Sequence, residues 1–276
     1  MSSSSQVRFG LLVASLAAMA ACGGGKSGPT APSATIQSVN VSVTNELVFL
    51  GSSEQATASA TLSNGQTQSP SGAWSSDNSG VATVDGNGRV SGVASGRATI
   101  IFSAQGVTGS KSVRVVPRYQ GQWSGSYAVR TCDQSGVWAS EDFCSTFPIN
   151  RVFPTNMTLT QGARDVVEGR IFLGTLSTDT FTAPIGVDGF VQPSATIRSG
   201  DITVDTLWNM TSTTPGRIVG AFQQTWRTAG LSGEMRVISD IRDLNATSQA
   251  ASLRLPEANP APRTLEELLT AMGVRK

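Results

Sequence analysis

The sequence predicts an all-β protein in which a β-sandwich is followed by an eight-stranded antiparallel up-and-down β-barrel and a short C-terminal helix. Three observations lead there. Apolar and polar residues alternate with period two from about residue 35 to residue 250, as half-buried strands do. Gly, Asn, Asp and Ser interrupt the alternation at intervals too short to admit helices between strands. A helical period appears only near the C-terminus.

The first 22 residues stand apart. Arg8 precedes an apolar run from Phe9 to Ala18, and small residues up to Ala21 lead into Cys22. A basic start, about 7–15 apolar residues and a small-residue cleavage site describe an export signal, and the run is shorter than the ~20 residues that cross a bilayer. Met19-Ala20-Ala21-Cys22, followed by Gly23, Gly24 and Gly25, resembles the lipobox of a bacterial lipoprotein signal, with Met19 where those signals usually carry Leu. The resemblance implies a signal peptide over residues 1–21, cleavage before Cys22 and lipidation of that residue. The alternative is an ordinary cleaved signal with an unmodified cysteine. Gly23, where inner-membrane lipoproteins carry Asp, points by the same resemblance to the outer membrane or cell surface. Each buried acyl CH2 contributes about 0.8 kcal/mol, so two or more chains on Cys22 make a stable anchor.

Residues 22–34, rich in Gly, Ser, Pro and Thr with Lys26, read as a flexible tether. Gly25-Lys26-Ser27 superficially suggests a phosphate loop. Ala20 stands where that motif needs its first Gly, and no strand precedes it.

Between Thr35 and Pro117 the strands are read at Val39-Val41-Val43, Ala56-Ala58-Ala60-Leu62, Val81-Thr83, Val90, Ala98-Ile100 and Val113-Val115. Asn64-Gly65 and Asp85-Gly86-Asn87-Gly88 supply turn residues that tolerate positive φ. Asp85 and Asn87 also suggest a calcium loop, but Arg89 occupies its next ligand position, which favours a turn. The span, about 80 residues, is the size of an immunoglobulin-like sandwich.

The string Trp74-Ser75-Ser76-Asp77-Asn78, then Val81-Ala82-Thr83-Val84-Asp85, then Gly88-Arg89-Val90-Ser91-Gly92-Val93-Ala94-Ser95-Gly96-Arg97-Ala98-Thr99-Ile100 resembles the bacterial immunoglobulin-like domain, group 2, over residues 35–117. The resemblance implies a β-sandwich found in surface and adhesion proteins, commonly as a spacer or binding module, and no catalytic residue. Trp74 is suited to fill the space between two sheets.

A second domain, residues 118–250, is read as eight strands: 122–130, 156–161, 166–173, 180–186, 195–198, 202–210, 217–228 and 230–241. Short connections favour a meander, and eight such strands close into a barrel that is filled by side chains or holds one small ligand. Gly121-Gln122-Trp123 resembles the Gly-x-Trp opening of lipocalin and avidin-like barrels, in which the tryptophan plugs one end. Trp123, Trp208, Phe222 and Trp226 are candidates either to line a cavity or to form the core.

Cys132 and Cys144 remain after Cys22 as a pair in an oxidising compartment. A disulfide pinning a long loop is expected, with a reactive or metal-binding thiol pair as the alternative. Residues 251–276 read as a Pro-rich linker and a short amphipathic helix. Thr264-Leu265-Glu266-Glu267 forms a capping box, Leu265, Leu268, Leu269 and Met272 recur at helical spacing, and Gly273 follows. A helix this short needs to dock on the barrel or on a partner.

The chain has no histidine, which removes the usual general base and the imidazole ligands of catalytic zinc. Lys26, Lys111 and Lys276 lie in no Ser-x-x-Lys context. The acid pairs Glu141-Asp142, Asp165 with Glu168, and Asp240 with Asp243 show no spacing that demands convergence. A net charge of +1 without a basic run gives no footprint for nucleic acid.

These features describe a non-enzymatic envelope or cell-surface lipoprotein, with no cofactor and no metal, held to the membrane through Cys22. Its Ig-like spacer presents a barrel to a surface protein or glycan. The contact candidates are Trp138 and Phe143 in the cysteine loop, unless both pack over the barrel mouth. Two other readings are a carrier of a small hydrophobic ligand inside the barrel and a purely structural envelope protein.

Overall fold

The computed structural model describes residues 33–162, 165–248, 266, 267 and 270. The export signal, Cys22 and nearly all of the tether lie outside the described residues. So does the predicted C-terminal helix, except that Glu266, Glu267 and Thr270 are helical, with Thr270 Oγ1 donating to the Glu266 carbonyl.

Alternating apolar residues build the first domain from β1 (Ile36–Val43), β2 (Leu47–Phe49), β3 (Ser53–Leu62), β4 (Thr67–Gln68), β5 (Ala73–Ser76), β6 (Ala82–Val84), β7 (Arg89–Gly92), β8 (Gly96–Ala104) and β9 (Val107–Val116). One sheet runs β1-β3-β7-β6 with β4 added to β3, and the other runs β2-β9-β8-β5. Ala98, Ile100 and Phe102 of β8 and Val113 and Val115 of β9 face the core between them. Trp74 meets Phe102 edge-on at 4.7 Å and packs against both apolar clusters of the sandwich. Asp85 Oδ1 accepts from the amides of Asn87 and Arg89, each at 2.9 Å, so this carboxylate serves a turn. Strands β2, β4 and β5, of 3, 2 and 4 residues, are too short to show a period in the sequence.

The second domain consists of β10 (Gly121–Gln134), β11 (Val152–Gln161), β12 (Val166–Leu173), β13 (Leu176–Ser177), β14 (Phe181–Pro184), β15 (Ser194–Ser199), β16 (Ile202–Thr214), β17 (Arg217–Thr228) and β18 (Met235–Ser248). Its sheet runs β13-β12-β11-β10-β18-β17-β16-β15, with β14 also on β12. The last strand therefore returns to the first, from Gln122 opposite Ser248 to Gln134 opposite Met235. At the remaining seam the Asp179 amide donates to the Thr196 carbonyl at 2.9 Å and Arg198 reaches the Asp179 carboxylate at 3.0 Å, which leaves the barrel nearly closed. The final strand begins at Met235 rather than Gly230, because Gly230 (φ 74) and Gly233 (φ 100) turn the chain first. Where β10 crosses β18, a Cβ at Gly125 would lie 1.4 Å from the Asp243 carbonyl oxygen, so only glycine lets the two strands meet there.

Residues 117–123 bolt the sandwich to one barrel end. The Tyr119 amide donates to Gln161 Oε1 at 2.6 Å, its hydroxyl to the Gly189 carbonyl at 2.7 Å, and Trp123 Nε1 to the Tyr119 carbonyl at 2.8 Å. From β9, Arg114 pairs with Asp165 and donates to the carbonyls of Ile185 and Gly186. Arg118 lies 4.4 Å over the Phe49 ring.

Two outcomes are expected. Arg114→Ala removes the clamp between β9 and the 185–186 loop, so limited proteolysis near Pro117 accelerates while circular dichroism keeps its β signature. The chain has two tyrosines, Tyr119 and Tyr127, and burial pushes both phenols above their ordinary value of 10.0. The folded pKa lies above the unfolded one, so this contribution is fully present below pH ~10 and is lost as pH rises beyond it. The loss is about 1.4 kcal/mol per pH unit for each tyrosine. Absorbance at 295 nm should rise only together with unfolding; a rise near pH 10 with native circular dichroism contradicts the burial.

Candidate functional site

The barrel end opposite the sandwich is closed by residues 135–150. The rim there is formed by Gln134, Val152, Thr228 and Met235, at the ends of β10, β11, β17 and β18. Gly136 (φ 59) starts the segment where a side chain would meet the Ser232 carbonyl, because the chain passes tightly under the β17–β18 turn. The Ser135 amide donates to the Glu234 carbonyl and the Val137 amide to the Ser232 carbonyl, at 2.9 and 3.2 Å. A single helical turn, α1 (Val137–Ser140), follows, and then a 3-10 turn over Phe143–Thr146.

Cys132 on β10 and Cys144 on the 3-10 turn form a disulfide, with Cα atoms 5.7 Å apart. Gln134 supports it from the strand: its Oε1 accepts the Cys144 amide at 2.8 Å and its Nε2 donates to Asp142 at 3.2 Å. The segment is thus a pinned lid. Trp138 and Phe147 are both 1% exposed. Trp138 packs edge-on to Phe143 at 4.9 Å and to Trp226 at 6.4 Å, while Phe147 meets Trp226 at 5.5 Å and Phe153 at 5.9 Å.

Of the two arrangements the sequence allows for Trp138 and Phe143, the structure adopts packing over the mouth. Trp138 is buried and Phe143 is half-buried. Trp138 does not protrude, because an indole left in water forfeits the burial that the open barrel end offers.

The lumen behind the lid is occupied by side chains. Trp123, Trp208, Phe222 and Trp226 are all 2% exposed or less, and Trp208 stacks on Phe222 at 3.8 Å. Tyr127 stands edge-on to Phe222 at 4.8 Å. All four candidate residues are buried in the core; Trp208 packs on Phe222, and Trp226 packs on Trp138 and Phe147. Trp123 sits at the sandwich end, where its bond to Tyr119 fixes the entering chain.

What the lid end offers to solvent is a different set, missed by a sequence reading that followed the large aromatics. Ile149, Val152 and Leu231 are 67%, 56% and 56% exposed. Beside the β17–β18 turn, Arg227 bridges Asp205 at 2.6 Å and Glu234 at 3.0 Å, and Arg236 reaches Glu234 at 2.6 Å. Such exposed pairs contribute little stability individually, but they link charged groups of β16, β17 and β18 at this end of the barrel.

The candidate acids do not come together as a catalytic pair. Asp165 faces Arg114 and Asp240 faces Arg130 at 3.2 Å, while Glu141, Glu168 and Asp243 are exposed. Among the described residues no cluster of three His, Cys, Asp or Glu could hold a metal, and no helix is long and apolar enough to cross a membrane.

Among known families, the bacterial Ig-like domain (group 2) matches residues 35–115. No curated protein matches the chain. Among solved structures, a mutant of intimin from EHEC O157:H7 aligns at 15% identity and a TM-score of 0.24, covering 40% of this chain and 59% of that one.

Two substitutions test the lid. Removing the disulfide with Cys132→Ser and Cys144→Ser is expected to lower stability by about 3 kcal/mol, as a loop of this size does in the chain-entropy model, measured by urea denaturation. Trp138→Ala leaves a cavity against Trp226 and Phe143 and is expected to cost about 3–5 kcal/mol in the same assay.

Proposed function

We propose that this chain is a lipid-anchored envelope protein that works by contact rather than catalysis. The Ig-like sandwich is the spacer, and the lidded end of the barrel is the surface offered to a protein or glycan at the cell surface. One observation carries the reading. The sandwich joins the barrel at the end opposite the lid, and the lidded end exposes Ile149, Val152 and Leu231. Exposed large apolar residues are the kind that anchor recognition, in which a few side chains dominate the energy.

The anchor and the contact surface are tested separately. Cys22→Ser is expected to move the protein from the membrane fraction to the soluble exported fraction; unchanged partitioning rejects the anchor. Ile149→Asp with Leu231→Asp, made in the mature chain, is expected to reduce capture of isolated envelope material by about tenfold or more, a loss of the size hot-spot residues cause, while the thermal melt is unchanged. Undiminished capture moves the contact surface elsewhere on the molecule.

A further inference from the structure

Five buried polar atoms in the described barrel lack any hydrogen-bond partner within the chain: Tyr127 Oη, Trp138 Nε1, Trp208 Nε1, Gln224 Nε2 and Ser239 Oγ. Native interiors pair about 90% or more of such groups, so five in one lumen call for an explanation. The register draws four of them together. Gln224 lies opposite Val237, which lies opposite Cys132. One inward step further, Ser239 lies between Phe222 and Val129, and Trp208 stands across from Phe222 on the other side. Tyr127 closes the group with its ring against Phe222. By register the cluster begins level with the disulfide, and the fifth donor, Trp138 Nε1, belongs to the lid.

The chemistry of the set narrows what it can hold. An indole N–H only donates. Gln224 Oε1 already accepts from Trp226 Nε1 at 3.1 Å, which leaves its amide hydrogens as the free function. Burial raises the Tyr127 pKa and the adjoining Gln224 amide partly offsets it, so the two side chains are neighbours, although no hydrogen bond of normal geometry joins them. Two of the four groups, the Trp208 indole and the Gln224 amide nitrogen, can only donate, while the Tyr127 and Ser239 hydroxyls can do either, so an occupant must be able to accept. Every buried polar side chain among the described residues is uncharged, so an ion placed here would have no compensating charge.

We propose that Tyr127, Trp208, Gln224 and Ser239 form an internal binding site for a small uncharged hydrogen-bond acceptor. Its source is either solvent water or a small carbonyl or hydroxyl compound, and entry is beneath the disulfide-pinned lid. The site is distinct from an apolar carrier cavity, because its recognition elements are donors and its aromatic residues are packed on one another. A buried water commonly makes about three hydrogen bonds to groups otherwise unsatisfied, which this cluster can supply.

The test is a pair of conservative variants in the full mature chain, Ser239→Ala and Tyr127→Phe, together with a crystal structure that resolves ordered solvent. Removing a hydroxyl bonded to an occupant should lower the melting temperature by about 2–4 °C in each variant. Density within hydrogen-bond distance of at least two of the four polar atoms is expected in the unmodified protein. A single-atom peak assigns water. A larger feature, with a small molecule released on denaturation and seen by mass spectrometry, assigns the organic source. No density, with Ser239→Ala melting at or above the parent temperature, overturns the site.

Discussion

The structure depends on one long-range pairing, that of β10 with β18. It joins residues more than 100 positions apart in sequence, from Gln122 opposite Ser248 to Gln134 opposite Met235. Until those strands meet, the meander has two open edges and a lumen in contact with water. Once they meet, the inward residues of both strands face a common interior and the rim at each end has a fixed circumference to be plugged. Gly125 marks how tightly the crossing is drawn, since no side chain fits between it and the Asp243 backbone.

Both plugs follow from that closure, and each is an aromatic residue tied to something else. At one end Trp123 and Tyr119 fill the opening and fix the linker from the sandwich, so the same bonds serve packing and domain orientation. At the other end no strand is available. Trp138 and Phe147 come instead from a segment with two short turns, whose own backbone bonds could not hold it in place. The disulfide to β10 supplies the missing constraint, and the buried aromatic contacts follow from it. The lid thereby turns a loop that the sequence offers as a contact element into part of the core, and passes the exposed role to Ile149, Val152 and Leu231.

Much of the fold was legible in the sequence because alternation with period two survives wherever one face is buried. Strands β12 and β17 have the bounds that alternation predicts, residues 166–173 and 217–228. The Ig-like domain was legible from the spacing of Trp74, Asp85, Gly88 and Gly96. Other features were hidden for physical reasons. Strands β2, β4 and β5 have too few residues to show a period, and the turn at Gly230 to Gly233 reads as a strand when judged by its neighbours. Trp138 lies in no periodic segment, so nothing local indicates whether its indole faces water or the lumen. Likewise the donor cluster around Phe222 is visible only once the cross-strand register places Gln224, Ser239 and Trp208 together.

If the closed, twice-plugged barrel is the rigid body on which a contact surface is mounted, its order of opening is fixed. Amide hydrogen exchange on the full chain measures this most directly. The central amides of β10, β17 and β18 should exchange slowest, with residues 137–149 opening earlier and with reduction of Cys132–Cys144 accelerating the lid before it affects those strands. Exchange of the β10 and β18 amides as fast as that of the lid would contradict a closed barrel, and with it both the plugged lumen and the fixed end face.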